Sequence, residues 1–118
     1  MTQYLVAVVG EPDYDALSPE TLQAIMSDVG TVIGEMQEAG VFVFGGGLDG
    51  PEATAVVDAT DGAPVVTDGP YAETKEILFS FIVIDVEDLD AALAWARRMP
   101  ATAYGAVQIH ASDRLELA

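Results

Sequence analysis

The chain has 118 residues, 51% of them hydrophobic, no cysteine, and a formal net charge of -16 from 20 acidic and 4 basic residues. This length is typical of one domain, so we expect a single domain over residues 1–118. The lack of cysteine excludes disulfides, thiolate catalysis and cysteine metal sites, and the negative charge argues against nucleic acid or anionic membranes as partners. The sequence has no long apolar run and no signal-peptide pattern, which predicts a soluble, cytoplasmic protein.

The first 40 residues predict a strand and a helix. Residues 4–9 are all apolar, which is typical of a strand that is covered on both faces. Ser18-Pro19-Glu20 predicts a helix start, because serine caps free amides, proline suits the first helical position and an acid favours the helix dipole. Gly40 predicts the helix end. The apolar stripe of this helix is expected to consist of Leu22, Ile25, Met26, Val29, Ile33 and Met36.

A second strand is expected over Val41–Phe44, where Gly45-Gly46-Gly47 follows. The glycine spacing matches neither the P-loop nor the dinucleotide fingerprint, so it indicates a bulge or a strand exit instead. Thr54–Ala59 and Ala63–Val66 then predict a hairpin, with Asp61-Gly62 as a two-residue turn.

Ile77–Asp85 predicts the most buried strand. Its side chains alternate between faces, and both faces are largely apolar: one has Ile77, Phe79, Phe81 and Val83, and the other has Leu78, Ser80, Ile82 and Ile84. A second helix is expected over Val86–Met99, with Leu89, Ala92, Leu93 and Ala96 as its apolar face, and a last strand over Gly105–Ala111. We attribute Arg97 and Arg98, in the last turn of that helix, to the helix dipole rather than to anion binding.

The element order predicts an α+β fold, namely a ferredoxin-like split βαβ plan with an inserted hairpin. In this plan the first and third main strands are central and both helices cover one face of the sheet. The two central strands are apolar on both faces, yet the chain has no further helix for the second face. We therefore expect a homodimer in which two sheets pack face to face.

Four side chains are candidates for a catalytic or binding role. Asp68 lies in the predicted turn Asp68-Gly69-Pro70 and would be a general base if burial raised its pKa. The simpler interpretation, which we prefer, is a turn residue that bonds its own backbone. Tyr71 would donate a hydrogen bond to a substrate carbonyl or would pack at a rim. Lys75 would bind an anion or act as a base, or would form a surface ion pair with a neighbouring glutamate.

His110 is the fourth candidate, because its pKa normally lies near neutrality and Asp113 or Asp85 would orient it. The alternative is an exposed histidine without a role. We expect no metal and no cofactor, because the possible ligands are scattered carboxylates.

One motif resembles a known family. Thr67-Asp-Gly-Pro-Tyr-Ala-Glu-Thr-Lys-Glu76, followed by Ile84-Asp-Val-Glu-Asp-Leu-Asp90 and Ala94-Trp-Ala96, is similar to the YCII-related family in its DGPF branch. The resemblance implies a dimeric α+β barrel, and some relatives in the wider superfamily are cofactor-free enzymes that act on small aromatic or lactone compounds. The better-studied YCII branch is associated with a His-Asp pair, whose histidine has no counterpart in the first helix here.

Two functions follow as hypotheses. The first is a small-molecule site in each subunit that performs cofactor-free proton transfer, with Asp68, Tyr71 and Lys75 at the pocket mouth. The second is a non-catalytic dimeric accessory or regulatory binding module, in which the same motif is a structural corner.

Overall fold

The computed structural model describes residues 1–10, 17–48, 53–69, 77–103 and 106–113. The elements in chain order are β1 (Thr2–Gly10), α1 (Pro19–Glu38), β2 (Phe42–Gly47), β3 (Ala55–Asp58), β4 (Val65–Asp68), β5 (Ile77–Val86), α2 (Leu89–Ala96) and β6 (Ala106–Ser112). A short 3-10 helix, Pro100–Ala103, connects α2 to the last strand.

The described strands form two antiparallel sheets and no closed barrel. The larger sheet has the order β2-β5-β1-β6, and β3 pairs only with β4 in a separate hairpin. This order confirms the α+β, ferredoxin-like plan, with the first and third main strands at its centre.

The strand registers define two faces of the four-stranded sheet. Tyr4 pairs with Ile84 and Val6 with Ile82, and these side chains pack with buried residues of both helices, which makes this the helix face. Residues of the opposite parity form what we call the second face. The second face consists of Gln3, Leu5, Ala7, Phe44, Phe81, Val83, Asp85, Gln108, His110 and Ser112. The placement of both helices on one face confirms the prediction.

Helix α1 begins as predicted but faces the sheet differently. Ser18 Oγ accepts a hydrogen bond from the Thr21 amide at 3.1 Å, and Pro19 occupies the first turn. The buried residues of α1 are Val32 and Met36, whereas Met26 is 67% exposed. The predicted stripe was therefore wrong at Met26, and it omitted Val32. At 100° per residue, Val32 lies about one turn before Met36 and shares its side of the helix, whereas Met26 lies on a different side.

Helix α2 is shorter than the predicted Val86–Met99. Asp88 caps it by accepting a hydrogen bond from the Ala91 amide at 2.9 Å, so the strand continues to Val86 and the helix begins three residues later. Leu89, expected on the apolar face, is 51% exposed. Beyond the helix end, Arg98 forms an ion pair with Glu35 of α1, and its guanidinium carbon lies 5.1 Å from the Trp95 ring centroid. This contact ties α2 to α1 at the surface, where such a pair stabilises the fold only weakly.

Strand β2 continues through the three glycines instead of ending before them. A register shift between Phe42 and Phe44 marks a bulge, so that these residues lie on opposite faces of the sheet. A Cβ atom on Gly45 would lie 2.5 Å from the Phe81 carbonyl oxygen and 2.7 Å from Cγ2 of Ile82. Gly45 therefore permits the close approach of β2 to β5.

The hairpin has a longer connection than the predicted Asp61-Gly62 turn. Its last pair is Asp58 with Val65, which leaves residues 59–64 as the loop. The Asp58 carboxylate accepts hydrogen bonds from the hydroxyl of Thr60 and, at 2.8 Å, from its amide, while Gly62 adopts φ of 122°. These side-chain bonds stabilise a wide turn in place of the two-residue one.

Among the described residues, no helix is both long enough and apolar enough to cross a membrane.

The approach of β2 to β5 predicts a contrast between neighbouring glycines. Gly45→Ala should lower the free energy of unfolding by about 1–3 kcal/mol, because the added methyl group meets backbone that cannot yield. Gly46→Ala is the control, since its Cβ would meet nothing described within 4 Å. Urea unfolding measures both variants, and an equal loss of stability would contradict this packing.

The hairpin turn predicts a pH effect. The hydrogen bond from the hydroxyl of Thr60, and to a smaller extent the one from its amide, hold the pKa of Asp58 below the ordinary value of 3.8. These hydrogen bonds to the ionised carboxylate stabilise the folded state. Their contribution is fully present above pH 3.8 and is lost as the pH falls through the lowered folded-state pKa. Thr60→Val should raise the pKa of Asp58 toward its ordinary value and Thr60→Ser should not, as an NMR titration of the carboxyl carbon would measure. An unchanged pKa in the valine variant would show that the hydroxyl contributes nothing.

Candidate functional site

Asp68 is the last residue of β4, at the base of the hairpin. It pairs with Ala55 across the hairpin and its side chain is exposed. The next residue, Gly69, adopts φ of 89° and donates its amide to the Thr54 carbonyl at 2.6 Å, which closes the base. The described part of the chain therefore does not bury Asp68, and burial was the condition for a raised pKa.

The neighbouring candidates Tyr71 and Lys75 lie outside the described residues. Their convergence on Asp68 remains a prediction. The hairpin that holds Asp68 and the sheet that holds His110 are separate in the described hydrogen-bond network.

His110 lies on the second face, on edge strand β6, and its side chain is exposed. Its Nε2 is 3.1 Å from Oε1 of Gln108. Because a carbonyl oxygen only accepts hydrogen bonds, this contact requires the proton on Nε2 and leaves Nδ1 of the neutral ring as an acceptor. Gln108, rather than the predicted Asp85 or Asp113, is thus the partner of His110 in the structure. Asp85 lies two strands away, with β1 between them.

The second face contains three rows of side chains. From β5 to β6 they are Asp85, Gln3 and Ser112, then Val83, Leu5 and His110, then Phe81, Ala7 and Gln108. Ala7 and Val83 in the middle are only 3% exposed, while Phe44 at the β2 edge is 42% exposed. The Phe44 and Phe81 rings meet edge to face, with centroids 5.6 Å apart. The face thus combines an apolar centre with polar groups at one end and along the β6 edge.

Asp85 has an environment that the sequence did not predict. It was expected only as a partner for His110, but its Oδ1 is buried and accepts no hydrogen bond from any described group. The available signal was a carboxylate on the second face at the end of a strand that is otherwise almost wholly apolar. Chemically, this face offers hydrogen-bond acceptors at Asp85 and at the His110 ring, on either side of an apolar centre.

The described histidine, aspartate and glutamate side chains form no group of three that could hold a metal ion.

Comparison with known proteins identifies the family. Residues 3–111 match the YCII-related domain, which covers most of the chain. Over 82 residues the chain is also 39% identical to the uncharacterized protein R00369 of Rhizobium meliloti (strain 1021), an alignment that spans 70% of this chain and 66% of that relative. The protein therefore belongs to the YCII-related domain family, as its Thr67–Glu76 motif indicated.

Proposed function

We propose that the protein binds a small organic molecule and performs cofactor-free proton transfer on it, as a homodimer. The observation that carries this proposal is the oriented imidazole of His110, hydrogen-bonded to Gln108 at the border of an apolar sheet face. A few polar groups that converge on an apolar surface are typical of small-molecule sites. In the neutral ring, Nδ1 is free to accept a proton from a bound molecule.

The motif residues complete the proposed site. Asp68 acts as a general base, Tyr71 donates a hydrogen bond to a substrate carbonyl and Lys75 binds an anionic group. For Asp68 this role requires a change of environment, because its carboxylate is exposed in the single chain. Packing of a second copy or closure over a ligand would supply the burial that raises a carboxyl pKa. A cytoplasmic location remains part of the proposal.

Three observations support association with a second copy, and the first of them concerns the second face. Phe44 exposes 42% of its surface at the edge of that face, next to the Phe81 ring. Val57 and Val66, paired in the hairpin, are each 67% exposed. The Cα radius of gyration is 16.1 Å, whereas a compact chain of this length has about 13.5 Å. Apolar surface therefore remains in the single chain that association would bury.

The exposed position of Asp68 favours a second candidate function. A carboxylate in water at the base of a hairpin, next to a glycine of positive φ, is typical of a structural corner. In that case the protein is a non-catalytic dimeric accessory or regulatory module, and ligand binding does not depend on Asp68.

Association through the second face predicts a difference between two exposed apolar positions. Phe44→Lys should raise the dimer dissociation constant at least about tenfold, because it places an ammonium group in the interface. Met26→Lys makes the same change in charge on α1 and should leave the constant unchanged. Sedimentation equilibrium at micromolar concentration measures both. A folded monomer of the unmodified chain would contradict the dimer.

The role of Asp68 is tested by thermal shift with small aromatic and carboxylate compounds. A compound that binds the native state raises its melting temperature, and Asp68→Asn should abolish that rise while leaving the free protein within about 0.5 kcal/mol of its original stability. Asp61→Asn, exposed in the hairpin loop, is the matched control. Lower stability with an unchanged ligand shift would instead identify Asp68 as a structural corner.

A further inference from the structure

The hairpin of β3 and β4 has an apolar face that the single chain leaves uncovered. Val57 pairs with Val66 and Ala55 with Asp68, and residues directly opposite each other in an antiparallel pair share a face. These four residues form what we call the valine face. Val57 and Val66 are each 67% exposed. The hairpin therefore has a projecting apolar surface with a carboxylate at one end.

The hairpin has little support from its own chain. Strands β3 and β4 pair only with each other among the described strands, and their contacts with other described elements are sparse. A two-stranded hairpin alone is only marginally stable in water, and a third strand or a packing surface is needed to stabilise it. The valine face is the side that such a surface would cover, because on the other face Val65 lies opposite the charged Asp58.

The edge strand β2 carries a second uncovered apolar surface. Phe44, Gly46 and Leu48 alternate onto one side of the chain, and the Leu48 amide donates to the Phe79 carbonyl at 2.8 Å, which continues the pairing with β5. Phe44 is 42% and Leu48 45% exposed, and a Cβ atom on Gly46 would meet nothing described within 4 Å. The two side chains thus flank a gap, and we call this surface the glycine notch.

The distribution of charge favours the glycine notch as the place where a second copy is accepted. With a formal net charge of -16, two copies repel each other wherever their acids approach. Residues 41–48, which include the notch, contain no charged side chain. The acids of a second hairpin therefore meet less repulsion there than along α1, whose charged residues are all acidic.

A twofold axis makes this contact reciprocal. Both surfaces belong to the same chain, and both remain exposed in the single chain. In an isologous dimer, an axis that brings the first hairpin to the second notch also brings the second hairpin to the first notch. Phe44 lies on the second face, so the contact continues the surface through which the homodimer is proposed to form. One second copy then covers both the sheet and its β2 edge.

We propose that the hairpin of each subunit packs Val57 and Val66 into the glycine notch of the other subunit. The inference rests on the proposed homodimer and adds a contact surface to it. Asp68 lies on the same hairpin face as Val66, so the contact places its carboxylate against the partner subunit instead of in water. The second copy thus supplies the burial that the proposed role of Asp68 requires, and the site is incomplete in one chain.

Two lysine substitutions on β4 test the contact. Val66→Lys should raise the dimer dissociation constant at least about tenfold, because it places an ammonium group in the notch. Val65→Lys makes the same change at a 60% exposed position on the other face of the hairpin and should leave the constant within about twofold. Sedimentation equilibrium measures both variants, and circular dichroism checks that they fold. Equal effects of the two substitutions would overturn the valine face as the contact.

Paramagnetic broadening of NMR signals locates the contact without altering the valines. The chain has no cysteine, so Asp61→Cys in the hairpin loop introduces a single thiol for a nitroxide label. When this protein is mixed with isotope-labelled protein of the original sequence, only contacts between copies broaden the observed signals. The amides of Gly46 and Leu48 should broaden. A label at Asp28→Cys on α1 is the control and should leave these amides unchanged.

Each contrary result has a separate meaning. A dimer in which neither Gly46 nor Leu48 broadens would overturn the hairpin contact and leave the proposed homodimer standing. A folded monomer would overturn the homodimer as well. If Val66→Lys does not fold, the broadening from the Asp61→Cys label alone decides whether the hairpin reaches the notch.

Discussion

Two central strands that are apolar on both faces constrain the architecture of this protein. On the helix face, Ile84 and Val6 of these strands pack with Met36 of α1, and all three are almost completely buried. The other side of the same strands carries Ala7, Val83 and Phe81, and both described helices bury their side chains on the opposite face. Sheets with one face in water alternate apolar with polar residues, and these strands do not. The proposed association through the second face rests on this pattern and on the exposed Phe44 at the edge of that face, because Ala7 and Val83 in its centre are only 3% exposed in the single chain.

The sequence correctly predicted the structural features that depend on the alternation of side chains along strands and on local helix caps. The order of the elements, the central position of β1 and β5, and the caps at Ser18 and Gly40 need only short-range patterns, and the structure confirms them. It did not predict features that depend on tertiary contact. Met26 has the same helical periodicity as a core residue, but the rotation of α1 on the sheet decides which side is buried. The passage of β2 through Gly45 likewise depends on how closely β5 approaches.

The candidate site likewise has some features that the sequence predicted and others that depend on tertiary contacts. The composition of the Asp68 motif could be read from the sequence, but its exposure on a hairpin could not, because the hairpin pairs with itself rather than with the main sheet. The contact of His110 with Gln108 follows from their shared face two residues apart on β6, which alternation does predict. The unpaired oxygen of Asp85 depends on which groups surround it in three dimensions. These residues link the proposed site to the face on which a second copy is expected.

The most direct test of this account is an isotope-filtered NOE experiment on a mixture of labelled and unlabelled protein, which detects contacts between copies alone. Association through the second face predicts NOEs from the Phe44 ring of one copy to second-face methyl groups, such as those of Leu5, of the other. If the spectrum contains contacts only within one chain at concentrations of hundreds of micromolar, the second face is not an interface and the central claim is wrong.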